Sequence, residues 1–192
     1  MRKIILASRS KARQKLLKQI GLKFRVVEAD VKESLFLKGK KCSAFVINNA
    51  VKKARAAAKG LDTGVIIAAD TVVLVGKRII GKPKTMADAI RSLKILSKSP
   101  QWVFTGVAVY DIDRKKMLTD FEKTKVYMYP LDDIQIKRYF RRISPFDKAG
   151  SFDVQGPGSI FIDRIEGCFY NVVGLPLAKL GAMLKEVGVS II

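Results

Sequence analysis

At 192 residues and 48% hydrophobic content, the chain is long enough to bury a core of its own, as one folded domain or two closely joined lobes. Its 37 basic residues against 17 acidic ones give a formal charge of +20, a field that attracts polyanions of any size without selecting one. Two cysteines, Cys42 and Cys168, supply no disulfide framework or zinc-site spacing, and the lack of histidine excludes imidazole bases and ligands. Carboxylates must therefore carry any acid-base or metal chemistry.

The first apolar run, residues 3–7, meets Ser8 and Arg9 too early for a signal segment, and no apolar run approaches membrane-spanning length. A soluble, cytoplasmic chain with no membrane role is the expectation. The same run reads as a short buried strand, followed by a polar turn at Ser8, Arg9 and Ser10 and a helix carrying Leu16, Leu17 and Ile20 up to Gly21. Ser10 as N-cap puts free backbone N–H groups and the positive end of a helix dipole at a strand's carboxyl end, a place that suits anions.

A second strand is expected over residues 24–28 and a helix over 43–59, with Val46, Ala50, Ala54 and Ala57 along one stripe. Residues 65–69 form an apolar, β-branched-rich strand ending at Asp70. Residues 71–75 continue extended, Gly76-Lys77 makes a hairpin turn, and residues 78–80 return to Gly81-Lys82-Pro83. Thr85, with Asp88 three residues on, opens a helix carrying Ala89, Ile90, Leu93 and Leu96. Residues 102–110 and 118–128 read as an antiparallel pair. Asp132 or Asp133 caps a helix with Ile134, Tyr139 and Phe140, and a loop rich in Gly, Pro and Asp then runs to Gly158. Strands over residues 160–165 and 170–173 and a helix opened by Pro176 complete the chain. The alternation indicates an α/β fold with a mixed, partly antiparallel sheet flanked by helices.

Among residues that could carry chemistry, Asp70 stands out, because a carboxylate at the end of a buried strand is costly unless it meets a cation, a hydrogen-bond network or a substrate. An Asp that caps the following turn explains it as well. Ser8, Arg9, Ser10, Lys11 and Arg13 combine hydroxyls, cations and helix N–H groups, the ingredients of a phosphate cradle, though not the glycine-rich loop of P-loop enzymes. Glu33 sits among lysines as an ordinary solvated acid would, Lys53 lies on a basic helix stretch, and Lys82 is fixed by its Gly and Pro neighbours. Gln155, before Gly156-Pro157-Gly158, can both donate and accept, as reading a base edge requires, and a plain turn explains it too.

Together these segments resemble the Maf family in order and over nearly the whole chain. Ile5-Leu6-Ala7-Ser8-Arg9-Ser10-Lys11-Ala12-Arg13 is similar to the family's ILASxSPRR element. Lys53-Ala54, Ala69-Asp70-Thr71-Val72-Val73, Gly81-Lys82-Pro83 and Thr105-Gly106-Val107 follow at the family's spacing. Asp147-Lys148-Ala149-Gly150-Ser151-Phe152, with Val154-Gln155-Gly156, resembles LDKAGAYxIQG, and Ile165-Glu166-Gly167 with Asn171-Val172-Val173-Gly174-Leu175-Pro176 resembles IxGxxxNVVGLPL.

The resemblance implies two lobes around a nucleotide cleft, one Maf-like domain over residues 1–192, and metal-dependent hydrolysis of nucleoside triphosphates to monophosphate and pyrophosphate as house-cleaning of nucleotide pools. It implies Asp70 as proton acceptor, with Glu33, Lys53 and Lys82 in the catalytic set. Ser8, Lys11, Arg13 and Lys148 would bind substrate, and Asp70 and Glu33 would hold Mg2+ or Mn2+. Thr71 and Gln155 look like the branch that takes dTTP and UTP, modified pyrimidine triphosphates included, rather than the methylated-GTP branch, which has Gln and Glu there. Ala12 departs from the pattern: Lys11-Ala12-Arg13 stands for Pro-Arg-Arg, and a lysine does not reproduce an arginine's two-pronged hydrogen bonding, so relaxed base selectivity is expected.

The charge keeps a basic nucleic-acid-binding module open as a second reading, on Lys38, Lys40, Lys41, Arg138, Arg141 and Arg142, and weak nucleic-acid binding is compatible with the first. A non-catalytic regulator of cell division is a third. The sequence is also compatible with a homodimer.

Overall fold

The protein is described from a computed structural model, which covers residues 2–29, 31, 41–146 and 148–191. Seven strands form one sheet: β1 (Ile4–Leu6), β2 (Arg25–Val26), β3 (Val65–Val75), β4 (Arg78–Ile80), β5 (Gln101–Asp111), β6 (Lys116–Met128) and β7 (Ile162–Glu166). Their order is β2-β1-β3-β5-β6-β7, with β4 added to β3. β1 pairs in parallel with β2 and β3, while β3–β4 and β6–β7 are antiparallel, so the expected mixed sheet is present. The helices are α1 (Lys11–Gln19), α2 (Cys42–Ala57), α3 (Met86–Leu96), α4 (Asp133–Phe140), α5 (Phe169–Val173) and α6 (Leu177–Glu186). None of the described helices is long and apolar enough to cross a membrane.

The chain divides into two compact units. The first comprises residues 1–70, 105–122 and 174–192, and the second residues 71–104 and 123–173. In the first, Ala50, Ala54 and Ala57 of α2 pack on Ile5, Ala7, Ile66, Ala68 and Ala108 of the sheet. Small side chains on both sides let helix and sheet approach closely, and Gly106 of β5 takes this furthest. A Cβ there would lie 2.4 Å from the backbone carbon of Val46. In the second unit, Leu93 and Leu96 of α3 and Ile136 and Tyr139 of α4 cover Val73, Val75, Val103 and Val126.

Side-chain caps open three of the helices. The Ser10 side chain accepts from Arg13 N, Thr85 accepts from Asp88 N, and Asp132 forms a full capping box with Gln135. Three expectations change. The strand expected over residues 24–28 shortens to Arg25–Val26, which is exposed and has β1 as its strand neighbour. The strand end expected at Asp70 is absent: residues 71–75 are extended as expected but continue the same strand, β3, because β4 pairs with its second half and Asp70 finds its partners within the first unit. Residues 170–173 are helical rather than extended. Gly167, at φ 116°, turns the chain away from β7, and the buried Asn171 amide is anchored on Val103 O at 3.0 Å and Thr124 Oγ1 at 2.9 Å. Four residues, Tyr-Asn-Val-Val, carry no period that separates strand from helix.

Candidate functional site

In the first unit the parallel register Leu6↔Ile67 fixes where β1 and β3 release their polar residues. Ser8 comes two residues after Leu6 and Asp70 three after Ile67, so both emerge at the carboxyl end of this parallel pair, where open α/β sheets place ligands. Ser10 caps α1, and its backbone N–H donates to Ser8 Oγ at 3.2 Å. The Arg13 guanidinium is buried, with Nη1 donating to Ser8 Oγ at 3.3 Å and Nε to Gly174 O at 2.8 Å. A fixed cation, a hydroxyl and the positive end of a helix thus share one corner, a constellation suited to phosphate oxygens.

Asp70 is 6% exposed. Lys53 Nζ lies 2.5 Å from its Oδ1, and Asn49 Nδ2 donates to its Oδ2 at 3.0 Å. Asn49 and Lys53 are four residues apart and therefore on one face of α2, the face held against the sheet by the alanine stripe and by Gly106. The carboxylate is thereby oriented from both sides. Two of its roughly four acceptor positions are used by these bonds, which leaves capacity for a water or a cation.

In the second unit, Lys82 lies in the exposed loop after β4. Gly81 O accepts from Gly150 N at 3.2 Å, which joins this loop to the one carrying Lys148. Lys148 Nζ donates to Ser144 O at 3.2 Å. Thr71 shares a strand face with Val73 and Val75. Gln155 is exposed at the tip of residues 153–158, with buried Val154 before it and a 3-10 turn, Pro157–Phe161, after it. Lys11 is exposed and Ala12 half-buried in the first turn of α1. Glu33 lies outside the described residues, as do Lys38 and Lys40.

A family model described as Maf-like protein matches residues 3–187, a span that includes both units. The chain belongs to the Maf family. The dTTP/UTP pyrophosphatase of Clostridium botulinum (strain Kyoto / Type A2) is 42% identical to it, with all of both chains covered. That of Carboxydothermus hydrogenoformans is 43% identical over 97% of this chain and 99% of its own. Among solved structures, a HAM1 protein from Coxiella burnetii has the same type of fold, with a TM-score of 0.54 and 16% identity over 97% of this chain and 100% of that one.

Two contributors to the site in this Maf chain escape a reading of single residues. Asn49 is one, and its signal was present: it and Lys53 are polar residues at stripe positions of an otherwise apolar helix face, costly places for polar groups without partners. The Gly174 carbonyl is the other, a backbone group with no sequence signal beyond its motif. Cys42, at the start of α2, is half-buried, and burial pushes its thiol pKa up. Among the described residues no cluster of three metal-binding side chains occurs. The donor chemistry still fits a hard cation, since Asp70 offers carboxylate oxygen and Mg2+ is commonly held by one or two carboxylates together with substrate phosphates.

Proposed function

We propose that this Maf chain is a nucleoside triphosphate pyrophosphatase, converting dTTP or UTP and water into the monophosphate and pyrophosphate. The observation that carries the reading is the buried Asp70 carboxylate, gripped by Lys53 and Asn49 at the same sheet end as the Ser8–Arg13 corner. Full-length relatives named for this activity support it.

In the proposed reaction, water attacks the α-phosphorus and the bond from that phosphorus to the bridging oxygen breaks. Pyrophosphate departs with the bonding pair, and Asp70 takes the proton released by the water. Arg13, Ser8 and the start of α1 hold phosphate oxygens, Lys11 adds charge there, and Lys53 keeps Asp70 aimed. A divalent ion, Mg2+ or Mn2+, held by Asp70 and Glu33 with the substrate, would offset phosphate charge as a Lewis acid. Roles for Lys82 and Lys148 on phosphates, and for Thr71, Gln155 and Ala12 in base selection, rest on the family motifs. Ala12 removes a guanidinium that the motif supplies, so discrimination among bases is relaxed.

Asp70→Asn tests the assignment. The change keeps size and shape and removes the proton acceptor, so turnover falls by about 10²- to 10⁴-fold while the circular dichroism spectrum is retained. Pyrophosphate release at the wild-type rate would remove Asp70 from the mechanism. Hydrolysis in ¹⁸O-water places the label in the monophosphate, and label in pyrophosphate would move the attack to the β-phosphorus.

A further inference from the structure

In the second unit, the sheet face opposite α3 and α4 carries rings and cations in alternation. Trp102 precedes the core residue Val103, and Lys125 and Tyr127 flank the core residue Val126, so strand alternation sends these three away from the helices. Lys123, beside buried Thr124, follows the same alternation. On β7 the register sets Arg164 opposite Tyr127 and Glu166 opposite Lys125. Lys123 Nζ lies 5.3 Å and Lys125 Nζ 5.6 Å from the centre of the Trp102 ring. Lys125 Nζ is also 4.9 Å from the centre of the Tyr127 ring, and Arg164 Cζ lies 3.6 Å from it.

The cations differ in what they offer. Arg164 Nε meets Glu166 Oε1 at 3.3 Å, its Nη1 meets Asp163 Oδ2 at 3.0 Å, and the Tyr127 hydroxyl donates to Glu166 Oε2 at 3.1 Å. The two acids offset the guanidinium's charge and hold its edges, so Arg164, its side chain 55% exposed, presents to solvent a flat plane backed by a ring. Such a plane, like an indole, stacks on a nucleobase, and rings exposed on a sheet can take two or three bases of one strand. Lys123 and Lys125 add point charges beside the rings, where phosphates would lie. Planes for bases together with charges for phosphates make up a single-strand surface. A duplex keeps its bases stacked inside and offers this face phosphates alone.

We infer that this face binds single-stranded nucleic acid, with bases stacked on Trp102 and on the Arg164–Tyr127 pair and phosphates held by Lys123 and Lys125. None of these five side chains belongs to the set assigned to catalysis, so the binding stands or falls apart from the pyrophosphatase reading.

Trp102 is the only tryptophan in the chain, and its fluorescence therefore reports this face directly. An oligouridylate of about 12 nucleotides, within the usual site size of such surfaces, is expected to quench it at least about twofold at low salt. Anisotropy of the same strand carrying fluorescein should rise over the same protein concentrations. By that anisotropy, Trp102→Ala weakens binding by about tenfold, whereas Trp102→Phe keeps a ring and stays within about threefold of wild type. Arg164→Lys keeps the charge, loses the plane, and weakens binding by about threefold or more. Replacing Lys123 and Lys125 together by Gln lowers the slope of log K against log salt by about 1.4, the share of two phosphates on a single strand.

Anisotropy that rises without quenching would put the strand elsewhere on this basic chain. A duplex of equal length that binds as tightly would reduce the face to plain charge. A merely structural ladder of cross-strand pairs lowers the melting midpoint of the Trp102 and Arg164 variants and leaves the affinity of the folded protein unchanged. Any of these three results overturns the inference, and so does a wild-type protein that binds no strand at about 50 mM salt.

Discussion

Asp70 has two oxygens, and each meets a different kind of donor: a charged amine from Lys53 and a neutral amide from Asn49. A lysine alone leaves a carboxylate free to swing about the ion pair, whereas a second donor on the other oxygen sets the plane of the group. A hydrogen bond to a charged group contributes about 1.5–3 kcal/mol, which is about 10- to 100-fold in rate if it is expressed only in the transition state. Asn49→Ala is therefore expected to lower kcat at least about tenfold with KM changed by less than about threefold, read from steady-state pyrophosphate release. Wild-type kcat would mean that Asn49 only fills space. The same residue shows how far single-residue reading goes. Asp70 was legible because an acid beside a buried apolar strand is conspicuous on its own. Asn49 becomes conspicuous only when α2 is laid out as a face, and the contribution of Gly174 lies in a carbonyl that every residue possesses. For Gln155 the side-chain chemistry is legible, but the bonds from Tyr139 and Gly158 to Asp153 that close its loop join residues fourteen and five apart, and no local pattern announces them.

Between elements, the decisive contact is α2 on the sheet. Gly106 sits under Val46 and Ile47, and a methyl group there would meet backbone atoms at 2.4–2.5 Å, with no flexible side chain to move aside. Gly106→Ala must therefore displace α2 and carry Asn49 and Lys53 with it. Overpacking of this kind costs about 1–3 kcal/mol, roughly 3–10 °C in the melting midpoint for a chain of this size, and kcat falls as well. Gly181, inside α6 with nothing within 4 Å of its would-be Cβ, is the contrasting case. Gly181→Ala is expected to raise stability by about 0.5–1 kcal/mol without touching activity. Equal effects at the two sites in calorimetry would refute the close-approach argument. Element types were readable where an amphipathic period or a cap was long enough to speak, as in α1, α3 and α4. They were not readable at α5, where Gly167 and the anchored Asn171 decide against an extended chain, and along β3 the extended residues 71–75 were legible but not their continuity with 65–69 through Asp70, which tertiary partners allow.

Across the whole molecule, 17 carboxylates oppose 37 cations, and acid removes that opposition. The protein is thus expected to be sensitive to low pH, through self-repulsion and through loss of particular pairs. The most connected of these lies in the first unit. Arg2 bridges Asp111, buried at the end of β5, and Asp113 in the following turn, and it also donates to Val187 O beyond α6. Hydrogen bonding to Arg2 is the main cause holding the Asp111 pKa below the usual carboxylate range. Asp113 is lowered to about 2, by Thr63 first and Arg2 second. Both groups bind protons less readily when folded than when unfolded. Their contribution is therefore complete above the unfolded value of about 4 and is lost as pH falls toward the folded values. Arg2→Leu removes the main partner of a buried carboxylate and leaves it Arg114, whose backbone N–H donates to Asp111 Oδ1 at 3.3 Å and whose Nη1 lies 3.8 Å from Oδ2, so the loss is on the order of 2–3 kcal/mol, or roughly 4–10 °C for a chain of this size. Thermal midpoints of wild type and Arg2→Leu should differ by a constant amount from pH 8 down to about 5. Below about pH 4 the two curves should converge, because protonation removes from the wild type what the substitution has already removed from the variant. Curves that stay parallel down to pH 2 would show that Arg2 stabilises by packing and its bond to Val187, with the two carboxylates contributing little.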